Sequence, residues 1–124
     1  MRSSSEVTHE DTKRELALSV LAEHGHCRLH VHGSSMLPAL WPEEEVLIET
    51  HPLAELEVGS VVLFDRAGHL FLHRVKRLGA GVADRVVTTR GDAIPQEDAP
   101  LAVSDLLGVL VAVRRGEDLS LIHI

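Results

Sequence analysis

Beyond Gly25 the sequence settles into short runs rich in Val, Leu, Ile and Thr, separated by Gly, Pro and Asp. The runs are Cys27–His32, Glu45–Thr50, Ser60–Asp65, His69–Leu78, Val82–Arg90 and Asp105–Arg115. Between them stand Trp41-Pro42, Val58-Gly59, Ala67-Gly68, Gly79-Ala80-Gly81 and the stretch from Gly91 to Pro100, all of which punctuate as turns. Short strands joined by tight turns predict a mainly-β domain, a curled antiparallel or barrel-like sheet. Ahead of them, Asp11–His24 carries Leu16, Val20 and Leu21 at three- and four-residue spacing, with Leu18 and Ala22 beside them. Gly25 follows as a stop, so this segment predicts one amphipathic helix. Residues 1–10 read as a flexible polar lead, and the domain is taken as 11–118.

A chain of 124 residues with 44% hydrophobic and 25% charged content can close one core without disulfide staples. Trp41, Phe64 and Phe71 are the only aromatic side chains, so Val, Leu, Ile and Ala must fill that core. The net charge of -7, with no basic run longer than Arg114-Arg115, excludes a nucleic-acid footprint. Leu106 to Val113 is the longest strongly apolar run and has the length of a strand, far short of the roughly 20 residues of a membrane-spanning helix. Met1 to Arg14 lacks the apolar stretch of a secretion signal. The cytoplasm is therefore preferred over secretion, although the compartment is not fixed. Cys27 is the single cysteine, which rules out an internal disulfide and reads as a small buried apolar residue.

The last residues, Leu119-Ser120-Leu121-Ile122-His123-Ile124, match one reading frame of a transposase-adapter sequence, CTG TCT CTT ATA CAC ATC. The expectation is that residues 119–124 are not native, that the natural chain departs near Asp118, and that a C-terminal membrane anchor could have been lost with it.

The chemistry concentrates in Gly33-Ser34-Ser35-Met36-Leu37-Pro38, in His73 within the run Leu70 to Leu78, and in Gly91-Asp92 through Asp98. A serine hydroxyl is nearly inert until a base takes its proton, and that base usually needs a third group to orient it. Gly33 permits a tight turn in which the N–H groups of Gly33, Ser34 and Ser35 can face one space, as an oxyanion hole requires. Histidine is the side chain best suited to accept a proton near neutral pH. Strand alternation puts Phe71, His73, Val75 and Arg77 on one face and Leu72, Arg74 and Lys76 on the other. Either Asp92 or Asp98 could orient the imidazole. A second cluster, His24, His26, Cys27, His30 and His32, contains zinc-type ligands, but its spacing matches no metal signature, so no metal or other cofactor is expected.

Taken in order, Gly33-x-Ser35-Met36-x-Pro38-x-Leu40, Gly59-Ser-Val-Val-Leu-Phe64, His73-Arg74-Val75, Thr89-Arg-Gly-Asp92 to Asp98 and Leu107-Gly108-Val109 resemble the boxes of the signal-peptidase and LexA-type serine peptidases. The likeness runs from about Val31 to Val113, and the His-Arg-Val box is similar to that of the Ser–His branch: the endoplasmic-reticulum, archaeal and sporulation-type signal peptidases. It implies a β-rich peptidase that cleaves after small residues in an extended peptide or precursor. Ser35 would be its nucleophile, His73 its base, and Asp98 the orienting acid in preference to Asp92. Lys76-Arg77-Leu78-Gly79 echoes the Ser–Lys branch instead, and a lysine base works only when burial strips it of its proton. The chain departs from the pattern at Glu43-Glu44 and Gly59-Ser60, where the family shows Gly-Asp. Two other readings remain, a LexA-like regulatory domain and an inactive member that binds extended peptide.

Overall fold

The computed structural model describes residues 4–79, 85–115 and 118–121, with side chains over 13–79 and 85–115. Helix α1 (Ser4–His24) precedes β1 (His26–His30), β2 (Glu45–Glu49), β3 (Val61–Arg66), β4 (His69–Leu78), β5 (Val86–Arg90), β6 (Leu101–Ala102), β7 (Leu106–Arg115) and β8 (Asp118–Leu121). The strands form one antiparallel sheet in the order β1-β2-β7-β3-β4-β5-β6, with β8 beside β7. The expected mainly-β fold with one N-terminal helix is present. The sheet does not close, and β1 and β6 remain as its two ends.

β3 lies at the centre because Val61, Val62, Leu63 and Phe64 are apolar without alternation, which suits a strand covered on both faces. Val61 and Leu63 join Leu21, Cys27, Met36, Leu40 and Ile48 in one cluster. Val62 and Phe64 join Leu56, Val75, Val87 and Leu106 in a second cluster. Each such side chain, fully buried, contributes about 1.5–3 kcal/mol. β7 crosses between β2 and β3 with a register slip against each of them. Slips of this kind are bulges, which bend a strand and increase its twist. Gly108 lies in this strand because a Cβ there would come within 2.5 Å of Ile48 Cγ2 and 3.0 Å of the Glu49 carbonyl oxygen.

The helix departs from expectation in two respects. It begins at Ser4, so residues 4–10, read as a polar lead, are helical. Nothing in residues 4–10 breaks a helix, since the segment has neither Gly nor Pro. Its buried pair is Ala17 and Leu21, with Leu18 and Val20 partly covered, whereas Leu16 is 64% exposed. Successive residues turn by about 100°, so a stripe through positions 17 and 21 rotates Leu16 outward.

β5 starts at Val86, and residues 82–84 of the predicted run lie outside the described residues, as do Ala80 and Gly81. The two-residue β6 was not anticipated. Nor was β8, which takes residues 119–121 of the suspected tail into the sheet beside Ala112–Arg115, past the point where β3 stops pairing with β7. An apolar stretch beside an open strand edge pairs with it whatever its origin.

Turn conformations explain one departure from the family pattern. Ala67 and Gly68 both have positive φ, as a two-residue hairpin between β3 and β4 requires. Glu43 also sits at φ 73°, while its N–H donates to the Val31 carbonyl at 2.8 Å. A side chain in that left-handed region costs about 1 kcal/mol, and glycine avoids the cost. Glu43→Gly should therefore raise stability by up to about 1 kcal/mol, seen as a melting temperature higher by about 3–5 °C in calorimetry.

Candidate active site

Ser35 lies in the turn after β1, where Gly33 takes φ 75° and lets the chain reverse. The residues after Ser35 hold the turn in place: Met36 and Leu40 are buried in the core beneath it. The Leu37–Pro38 peptide is cis. Arg115 binds the far side of the turn, donating to the Ala39 carbonyl at 2.7 Å and to the Glu44 carboxylate. Ser35 is half-buried and Ser34 exposed, and among the described residues the N–H groups of Gly33, Ser34 and Ser35 have no intrachain acceptor. They are free to meet an oxygen from outside the chain.

His73 comes from β4, in a hydrogen-bonded lattice where Val62 faces it across the β3 pair. Its ring is 6% exposed and packs edge-on against Phe64 and tilted against Phe71, with centroids 5.8 and 5.7 Å away. Nδ1 lies 2.6 Å from Asp98 Oδ2 and Nε2 lies 3.2 Å from Ser35 Oγ. A carboxylate can only accept, so Nδ1 carries the proton and donates it to Asp98. Nε2 then presents a lone pair, to which the Ser35 hydroxyl donates. This tautomer is the one a general base needs.

Asp98 is held in turn. Thr89 Oγ1 donates to the same Oδ2 at 2.6 Å, and the Asp98 N–H donates to the Thr89 carbonyl at 2.8 Å. Thr89 is fully buried on β5, and the sequence pattern assigns it no role of its own. Gly91 was missed in the same way. A Cβ there would lie 2.8 Å from the Ser35 carbonyl oxygen, 3.0 Å from Ser35 Cβ and 3.1 Å from His73 Nε2. Only glycine fits this site, because the chain passes directly against the Ser35 backbone and the His73 ring. Its signal in the sequence was no more than a glycine ahead of an aspartate.

The structure brings Asp98 to the imidazole and leaves Asp92 apart from it. Asp92 binds Arg74 through both oxygens, at 2.9 Å each, and Arg74 also donates to the Gly59 carbonyl at 2.8 Å. Its own N–H donates to Met36 Sδ at 3.3 Å. The Ala93 N–H donates to the Ser35 carbonyl at 2.8 Å. Asp92 thus secures the 91–98 loop against the serine turn, and the alternation of β4 sends Arg74 to the face opposite His73. Lys76 falls on a register slip between Val75 and Arg77 and is exposed to solvent, on the face of β4 opposite His73.

The histidine and cysteine cluster is divided by the same alternation. Cys27 points into the core, where burial pushes its thiol up. His24, His26, His30 and His32 are exposed. Among the described residues no three His, Cys, Asp or Glu side chains converge as a metal site.

A cleft of about 820 Å³ opens beside Ser35. α1 forms one wall through Leu16, Ala17 and Val20, and β4 forms the other through Leu70, Phe71 and Leu72. β1, an end strand of the sheet, borders it with Leu29, and Val31 just beyond the strand continues the lining. Among the described residues no helix is long and apolar enough to cross a membrane. No protein-family model matches this chain, and no curated protein or solved structure shows significant similarity to it.

Proposed function

We propose that the chain is a serine endopeptidase of the kind its motifs resemble, with Ser35 as nucleophile, His73 as general base and Asp98 as the orienting acid. The observation that carries this reading is the hydrogen-bonded chain from Ser35 Oγ through the His73 ring to Asp98 Oδ2, drawn from positions 38 and 25 residues apart in sequence. Ser35 Oγ attacks the scissile carbonyl while its proton passes to Nε2. The Asp98 carboxylate then stabilises the imidazolium that forms. The N–H groups of the Gly33–Ser35 turn are free to donate to the developing oxyanion, and one such donor is typically worth about 10²–10³ in rate. The imidazolium next protonates the leaving amine, and a water deprotonated by the neutral ring hydrolyses the acyl-serine.

The substrate is an extended segment of a peptide or precursor, cleaved after small residues as the resemblance implies. Support for the extended form comes from β1, an end strand that borders the cleft and precedes the Ser35 turn. Such an edge can pair with an added strand. The test is incubation with a peptide library containing small residues, with products located by mass spectrometry. Wild type will cut at defined bonds and Ser35→Ala will not. Binding without turnover in both proteins would instead identify an inactive peptide-binding domain.

A further inference from the structure

The chain carries a net charge of -7, yet the cleft beside Ser35 is lined by Lys13, Arg14 and Arg28 against a single carboxylate, Glu43. Three imidazoles, of His30, His32 and His69, add further hydrogen-bonding groups around the same cleft. Arg14 is engaged by Asp65. Among the described residues Lys13 and Arg28 have no carboxylate within ion-pair distance, and both are exposed. Cations that line a cleft attract a carboxylate entering it, and charges farther away than about 10 Å are largely screened from them at ordinary salt. Apolar side chains line the same cleft, among them Val20, Leu29, Leu70 and Leu72.

We infer that this cleft selects acidic peptide segments, in which apolar residues alternate with Asp or Glu. The inference rests on the proposed peptidase reading and deepens it by naming the substrate class. In an extended chain successive side chains point to opposite faces, so apolar positions enter the Leu29–Leu70–Leu72 lining while the alternate carboxylates meet Arg28 and Lys13. Arg28 stands seven residues before Ser35. At about 3.3 Å per residue, a peptide laid along β1 therefore places its acidic position within about seven residues of the scissile bond. Lys13 and Arg28 are specificity-determining residues in this account and take no part in the bond-breaking step.

The experiment uses the Ser35→Ala protein, so that binding is read without turnover. Three twelve-residue peptides, alike except for Asp, Asn or Lys at the alternate positions, are titrated by fluorescence anisotropy. The Asp peptide should bind about tenfold tighter than the Asn peptide in 50 mM salt, and the Lys peptide weaker still. In 1 M salt the spread should fall to about twofold or less, because charges several ångströms apart are then screened. Adding Lys13→Gln and Arg28→Gln should remove the preference while leaving the Asn peptide's affinity unchanged. Equal binding of the three peptides, or no binding of any, overturns the inference. Wild-type cleavage of the same peptides is followed in parallel. Cleavage with no charge preference retains the peptidase and discards the acidic substrate class. A charge preference with no cleavage discards the peptidase and retains the acidic-peptide groove.

Discussion

His73→Ala should lower kcat/KM on any cleaved peptide by about 10⁴-fold or more, whereas Lys76→Ala should stay within about twofold of wild type. The expectation follows from position. The His73 ring is buried with Nε2 facing Ser35, and the Lys76 ammonium stands in solvent on a register slip. Because the ring also packs on Phe64 and Phe71, its removal leaves a cavity, and His73→Gln serves as the shape-preserving companion. Melting curves for both variants separate lost chemistry from lost structure. Free imidazole should restore part of the activity of His73→Ala, since the vacated space lies between Asp98 and the serine. Activity retained in His73→Ala and abolished in Lys76→Ala would transfer the role of base to the lysine.

Asp98→Asn should cost about 10³–10⁴-fold in kcat with little change in the folded structure. The carboxylate keeps the proton on Nδ1 because it can only accept. An amide can turn its NH₂ toward Nδ1, which moves the ring proton to Nε2 and aims a donor at Ser35 in place of a lone pair. Thr89 Oγ1 shares the same carboxylate position with Nδ1, so in this orientation its hydroxyl accepts from the amide NH₂ instead of donating. Asp92→Asn should behave in the opposite way. It breaks the two-pronged contact with Arg74 and loosens the loop, which lowers stability by about 1–3 kcal/mol while kcat changes less than about tenfold. Unfolding in urea read beside steady-state kinetics distinguishes the two, and equal kinetic losses would put both carboxylates at the imidazole.

The strand pattern was legible because it depends on local chemistry. The alternating and wholly apolar runs, cut by Gly and Pro, predict β2, β3, β4 and β7 to within a residue or so. Alternation alone also separated His73 from Lys76. What stayed hidden depends on which segments meet. Asp92 and Asp98 are both acidic residues of one Gly- and Pro-containing loop, and only the fold shows that Arg74 claims the first and His73 the second. Thr89 and Gly91 carry no chemical signature of their own, since one positions a carboxylate and the other is defined by the room it leaves. Leu16 was misplaced because a three- and four-residue spacing fits more than one helix face. β8 depends on a vacant edge of β7, which no local pattern announces.

Gly91 has a wider consequence. The backbone of a distant loop touches the serine and the imidazole at once, so neither can be placed until that loop has docked. The loop has its own attachments to β3, β4 and β5 through Ala99, Glu97 and Asp98. In the proposed peptidase, activity would therefore depend on the docking of this loop as well as on the reacting groups themselves. As denaturant is raised, hydrolysis and near-ultraviolet ellipticity should vanish at one common midpoint, and a single cut between Ala93 and Gln96 should silence the protein even though every reacting group is still present.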